Sequence, residues 1–289
     1  MTVSAQELRA RAKAASAGLP ALMLSAERLA AALMPGAHGQ RRAGPGEDFW
    51  QYRPATTGDS ARSIDWRRSA RSDGQFVRDR EAEVPQSASI WLSAAAGMEH
   101  SGGPGRPSKR DRADLLALAL AMALLAGGER VALAGDPPRP GRAQADRIAQ
   151  TLVTRAALES DDDTPPAHAL RPGQRVVLID DFLGDPQPVL DYLHRAAGLG
   201  IRGALLQVLD PDEEAFPWTG AVLFRSATGA LSHDTRDAGG LRDAYLARLA
   251  ERRRLLGEAA LNAGWRFGTH DTAAPPAQAL LWLWSVLEG

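Results

Sequence analysis

Cysteine is absent from this 289-residue chain, and lysine nearly so: Lys13 and Lys109 are the only two, which leaves arginine to supply 32 of the 34 basic side chains. Without cysteine there is no disulfide framework, no thiol nucleophile and no thiolate zinc site. Neither sign of charge is in excess, because 35 acidic residues set against 34 basic ones give a formal net charge of −1. That balance argues against a protein whose main task is to coat nucleic acid, which calls for a strongly basic surface. Long apolar runs are missing too. The longest, Leu115–Ala126, has 12 residues, whereas a membrane-crossing helix needs about 20, so it reads as a buried core helix. The N-terminus is charged, with no uninterrupted apolar stretch of the kind a secretory signal needs. A cytoplasmic protein with no membrane span is the expectation.

Catalytic signatures are equally scarce. No Gly-x-x-x-x-Gly-Lys-Ser/Thr loop is present, which excludes a P-loop nucleotidase. No Gly-x-Gly-x-x-Gly follows a strand, and there is no Gly-x-Ser-x-Gly nucleophile elbow. The six histidines (His38, His100, His168, His194, His233 and His270) form no i, i+4 metal-binding pair. His233-Asp234 and His270-Asp271 suggest acid–base pairs on paper, but side chains adjacent in sequence rarely face each other. These absences point away from an enzyme.

What is present is an ordinary globular composition, 44% hydrophobic and 24% charged, sufficient for one large or two small domains. The arginine preference has two readings. A GC-rich coding bias produces it with no structural purpose; alternatively, some arginines make fixed bidentate contacts that lysine cannot. Two short helices open the chain, at 5–17 and 21–34, separated by Gly18-Leu19-Pro20. Beyond residue 86 strands and helices alternate. Strands are expected at 89–92, 130–134, 174–181, 203–209, 221–224 and 265–269. Helices are expected at 143–158, 188–197, 240–263 and 277–287. Ser108 and Asp111 form a capping box that starts the leucine-rich helix, which stops at Gly127-Gly128. Such alternation implies a doubly wound, mostly parallel sheet covered on both faces. Asp161–Asp163 reads as a solvated loop.

Two places draw attention. Asp180-Asp181 ends the most β-branched strand, where open α/β sheets bind their ligands. Such a pair either holds a hard cation or caps the next turn. The second is 44–83, where arginines and carboxylates alternate around Phe49, Trp50, Tyr52, Trp66 and Phe76. Interleaved arginine and aromatic residues can bind nucleic acid, but each basic residue has an acidic neighbour. An internal Arg–carboxylate network around Trp66 is the preferred reading.

Within this segment Phe49, Arg53, Gly58-Asp59, Arg62, Ile64-Asp65-Trp66, Ala70-Arg71 and Val77 fall at the spacing of a known signature. The chain thereby resembles domain-of-unknown-function family 58. His38–Arg42 leads in to the signature, and Val176–Phe182, Leu206–Pro211 and Asp234-Thr235-Arg236 extend the resemblance over about 38–270. It implies a von Willebrand factor A-like α/β domain at 87–289, behind N-terminal helices at 1–36 and a signature segment at 37–86. It also implies partnership with a MoxR-type AAA ATPase. No cofactor is expected.

The departures are informative. Where metal-binding members carry Asp-x-Ser-x-Ser, this chain has Ser93, Ala95 and Gly97, so Asp181 is left nearly alone. Ala55 replaces a tyrosine before Gly58-Asp59. The expectation is a non-enzymatic interaction module with a degenerate metal site. Arg53, Gly58, Asp59, Arg62, Asp65, Trp66 and Arg71 form its family surface or internal network. In that network Asp59 and Asp65 accept from arginines, and Trp66 anchors the segment in apolar contact. The alternatives are a divalent-metal-dependent domain that uses Asp181 and, more weakly, a nucleic-acid binder.

Overall fold

The computed structural model describes residues 21–31, 40–56, 60, 64–71, 74–84, 86–155, 164–225 and 232–288. The expected helix at 5–17 and the acidic loop Asp161–Asp163 lie outside these residues. So do Gly58, Asp59 and Arg62. The chain divides into two compact units, one of residues 37–86 and one of 1–36 with 87–289.

The larger unit is built on five strands: β3 (Ser87–Leu92), β4 (Arg130–Leu133), β5 (Gln174–Asp180), β6 (Arg202–Leu209) and β9 (Arg266–Asp271). They pair in the order β4-β3-β5-β6-β9, and every pairing is parallel. The central strand shows why. Val177 and Ile179 enter one apolar cluster while Val176 and Leu178 enter another, so the two-residue period of the strand feeds both faces. A strand buried on both faces needs an unbroken apolar run, which β5 supplies.

The first face is covered by α1 (21–30), α3 (Lys109–Ala126), α4 (Arg142–Arg155) and α8 (Pro276–Glu288). The second is covered by α5 (Gln187–Gly198) and α7 (Arg242–Asn262), which meet Trp265 through Tyr192, Leu193, Leu256 and Ala260. In α8, Ala279, Leu280, Leu283, Trp284 and Leu287 repeat at helical spacing and are all buried. Each large side chain so enclosed contributes about 1.5–3 kcal/mol. Ala26 and Leu29 of α1 belong to the first cluster, so this helix is part of the larger unit's core, not of a separate N-terminal segment.

Helix α3 starts as its sequence requires: Ser108 Oγ accepts from Asp111 N at 3.0 Å, and Asp111 Oδ2 accepts from Ser108 N at 3.3 Å. One expected sheet member falls elsewhere. Residues 221–224 lie largely within β7 (Val222–Arg225), which pairs antiparallel with β8 (Ser232–Thr235) as a separate ribbon between α6 (Pro211–Ala215) and α7. A four-residue run ending in arginine lacks the two-sided apolar character a central parallel strand needs.

The smaller unit pairs β1 (Gln40–Pro54) antiparallel with β2 (Phe76–Val84), with register shifts between Gly44 and Phe49 and between Phe49 and Gln51. Between them lies one turn of helix, α2 (Trp66–Ser69), capped by Asp65, which accepts from the backbone amides of Arg67 and Arg68, each at 3.1 Å.

Candidate functional site

Counted along the chain, the sheet order is 2-1-3-4-5, and it reverses between β3 and β5. In such sheets ligands bind beyond the carboxyl ends of the strands at that switch point. Here those ends lead into Ser93 and Asp181, both buried.

The residue that fills this place is Lys109. It is the first residue of α3, so the capping box fixes its backbone while its side chain runs inward to 1% exposure. Its Nζ donates to Asp181 Oδ2 and Glu213 Oε1, each at 2.7 Å. The opposite oxygens are also engaged: Asp181 Oδ1 accepts from Leu183 N at 2.9 Å and Glu213 Oε2 from Asp210 N at 3.0 Å. Burial works against the ammonium, but attraction to Asp181 and Glu213 outweighs it and holds the Lys109 pKa above the ordinary lysine value.

A second layer locks these carboxylates. Asp210, fully buried, caps α6 and accepts from Asp212 N and Gly102 N, each at 2.9 Å, with Arg106 Nη1 3.1 Å away. Burial alone would raise its pKa; the two backbone donors and Arg106 more than offset this and hold it low. Gly102 is required for this approach, because a Cβ there would stand 2.3 Å from Asp210 Oδ1 and 2.4 Å from Arg106 Nη2. Arg106 reaches Asp212 with two guanidinium nitrogens, at 3.2 and 2.7 Å. Arg253 donates through Nε to Gln207 Oε1 at 2.7 Å and forks onto Glu214, and Gln207 Nε2 donates to the Asp181 carbonyl at 2.7 Å. These arginines make the bidentate contacts that one reading of the composition anticipated.

Beside them, Arg112 ties α3 to the turn after β9. It contacts His270 Nε2 at 2.8 Å and donates to the Thr272 carbonyl at 2.7 Å. Because a guanidinium only donates, His270 Nε2 accepts and its proton sits on Nδ1. Burial, then the Arg112 charge, lowers the His270 pKa from 6.5 to about 4. The folded state therefore binds fewer protons than the unfolded chain between those values, and stability falls as pH drops from 6.5 to about 4. Asp114, paired with Arg155 at 2.7 Å, acts in the opposite sense, since burial raises its pKa from 3.8 to about 6. Its contribution is lost as pH rises from 3.8 through 6. In an Asp114→Asn background, urea denaturation is expected to show a decline of up to about 1.4 kcal/mol per pH unit below pH 6.5. Adding His270→Asn removes that decline; its persistence would refute the assignment.

The residues anticipated from sequence fall into two groups. Ser93 Oγ accepts from Ala95 N at 3.1 Å, and Gly97 lies in a short 3-10 turn, Ala96–Glu99. With the Lys109 ammonium on Asp181, these residues do not fit a divalent ion. In the smaller unit, Asp65 accepts not only from two backbone amides but also from Tyr52 Oη at 3.1 Å. Trp66 is 57% exposed and is no apolar anchor: it opens a one-turn helix whose inner contacts are made by others. Arg68, stacked 4.3 Å from the Tyr52 ring centroid and 5.3 Å from that of Phe76, ties that turn to the strands instead. Arg53 lies in β1 opposite Val77, and Arg71 follows α2 on the surface. Neither His233 nor His270 forms an acid–base pair: His233 sits exposed on the ribbon and His270 serves Arg112.

Sequence reasoning missed Lys109, Glu213, Asp210, Arg106 and Arg253. One signal was present: a lysine at the first position of a helix in a chain that uses arginine for 32 of its 34 basic residues.

The geometry defines a mixed α/β protein with a parallel five-stranded sheet, helices on both faces and a lysine–carboxylate cluster at the switch point. The chain belongs to the family of proteins of unknown function DUF58, whose model matches residues 51–254. It is 26% identical over 251 residues to the uncharacterized protein Rv1480 of Mycobacterium tuberculosis, covering 80% of this chain and 76% of that one. The uncharacterized protein Mb1516 of Mycobacterium bovis matches to the same extent. Among solved structures, an aerotolerance-related membrane protein of Bacteroides fragilis aligns over 70% of this chain and 98% of its own, with TM-score 0.44 and 17% identity. The protein BatB of Bacteroides thetaiotaomicron aligns over the same shares, with TM-score 0.40 and 16% identity. Among the described residues, no helix is long and apolar enough to cross a membrane.

Proposed function

We propose that this protein is a von Willebrand factor A-like interaction module, a partner or adaptor of a MoxR-type AAA ATPase, and not a catalyst. In it, the Lys109 ammonium stands where metal-binding relatives place a divalent ion. The observation that carries the reading is the pair of 2.7 Å contacts from Lys109 Nζ to Asp181 and Glu213. A fixed internal cation bridges the two switch-point carboxylates and offsets one of their charges without demanding a ligand from solution. Membership of DUF58 supports the partnership, and the carboxylates at this edge are spent on charge pairs and caps, which supports a binding role over acid–base chemistry.

Co-expression with a MoxR-type ATPase encoded beside the gene, followed by affinity purification with and without ATP, tests the reading. A stoichiometric complex in at least one nucleotide state is expected. No complex in either state would refute it.

A further inference from the structure

Next to the Lys109 cluster the carboxyl end of the sheet opens into a cavity of about 890 Å³. Its wall is aromatic. Phe216 packs edge-on to Trp218 with centroids 5.0 Å apart, stacks on Phe224 at 5.6 Å and leans on Tyr245 at 4.9 Å. Leu183 and Leu223 line the same space while 36% and 52% exposed, an apolar surface left in water.

Two further features mark the place. Tyr245 Oη and His100 Nε2, both in lining residues, are buried with no hydrogen-bond partner among the described residues. A buried polar atom left unmatched is costly, so the wall of this cavity is held against an energetic penalty. Phe182 and Phe216 are the two non-glycine residues with positive φ among the described residues, at 50° and 48°. One immediately precedes Leu183 and the other forms the wall. Bulky residues stay in that conformation only where surrounding packing forces it, and such strain gathers at functional sites.

Charge selects the occupant. Glu213 has both oxygens committed, to Lys109 and to Asp210 N, so the cavity offers no uncommitted Glu213 oxygen to a basic segment. Arg248, exposed on α7 and lining the cavity, has no acidic partner among the described residues. We propose that this cavity docks a segment of a partner protein that places a large apolar side chain against Leu183, Phe216 and Leu223 and an adjacent carboxylate on Arg248. The inference rests on reading the protein as an interaction module.

Fluorescence anisotropy with the full chain and a dye-labelled peptide, Gly-Ser-Glu-Leu-Phe-Glu-Ser-Gly, tests it. One control peptide carries serine for the leucine and phenylalanine, and a second carries lysine for the glutamates. Saturable binding of the first peptide alone is expected, weakened at least roughly tenfold by Leu223→Asp and by Arg248→Glu. Both side chains are exposed, so the thermal transitions should be unchanged. Equal binding of all three peptides, no saturable binding, or unaltered affinity in both variants would overturn the pocket. The same variants in the ATPase purification separate the two ideas. Capture retained by both variants overturns the pocket and leaves the proposed function standing. Failure of the unaltered protein to capture the ATPase, while peptide discrimination persists, does the reverse.

Discussion

Lys109→Met is expected to lower the unfolding free energy by about 3–5 kcal/mol, the usual cost of removing one partner from a buried ion pair. Methionine matches the lysine stem in length and apolar character, so little packing is lost. What remains is two carboxylates, Asp181 and Glu213, whose side chains are 6% and 13% exposed and which then face each other without a cation. Replacing all three groups, as Lys109→Met with Asp181→Asn and Glu213→Gln, should recover most of the loss. The amide oxygens still accept from Leu183 N and Asp210 N, and no net charge is left buried. Lys109→Arg should not recover it. A single nitrogen sits 2.7 Å from both carboxylates, and a planar fork of five donors needs more room than that. Urea denaturation of the four proteins reads the result directly. Equal midpoints for Lys109→Met and the unaltered protein would show that the ammonium is incidental.

Gly203→Ala should be as severe or worse. Gly203 pairs with Val176 in the centre of the sheet, and a Cβ built on it falls 1.9 Å from the Val176 carbonyl oxygen and 2.9 Å from the Trp265 ring. The first obstacle is backbone of a strand buried on both faces, so a side-chain rotation cannot relieve it. Either β5 and β6 separate locally or Trp265 shifts and surrenders the 2.8 Å bond from its indole nitrogen to the Ile201 carbonyl. Overpacking usually costs about 1–3 kcal/mol, and a clash with backbone on this scale belongs in the exceptional range above about 4 kcal/mol. Loss of soluble protein, or a urea midpoint shifted by that amount, is the expected outcome. A variant of native stability would contradict the close pairing of these two strands.

Much of the larger unit is legible because its rules are local. The apolar run of β5 marks a strand buried on both sides, the Ser108–Asp111 box starts α3, and the period of α8 sets its buried face. The smaller unit resists such reading. β1 and β2 are rich in charge and poor in β-branched residues, so neither strand periodicity nor propensity marks them, and pairing across some twenty intervening residues is a non-local property. The same limit hid the cluster. Asp181 is visible at a strand end, but nothing near it in sequence foretells Lys109, 72 residues earlier, or Glu213 on α6. Folding brings the end of β5 and the first turns of α3 and α6 together there, and the chemistry of each residue is set by the other two. Trp66 departs from expectation for a related reason: aromatic character does not itself imply burial, and Arg68 stacking on Tyr52 and Phe76 does the joining.

Lys109 takes the place of the cation at the switch point only if the intact protein binds no divalent metal there. Titration calorimetry of the intact protein with Mg²⁺ and then Mn²⁺ tests this most directly. No saturable heat is expected, because Asp181 and Glu213 already share the Lys109 ammonium between them. Saturable heat that disappears in Asp181→Asn would mean that the carboxylates release the lysine to bind a metal, and that Lys109 is no stand-in for one.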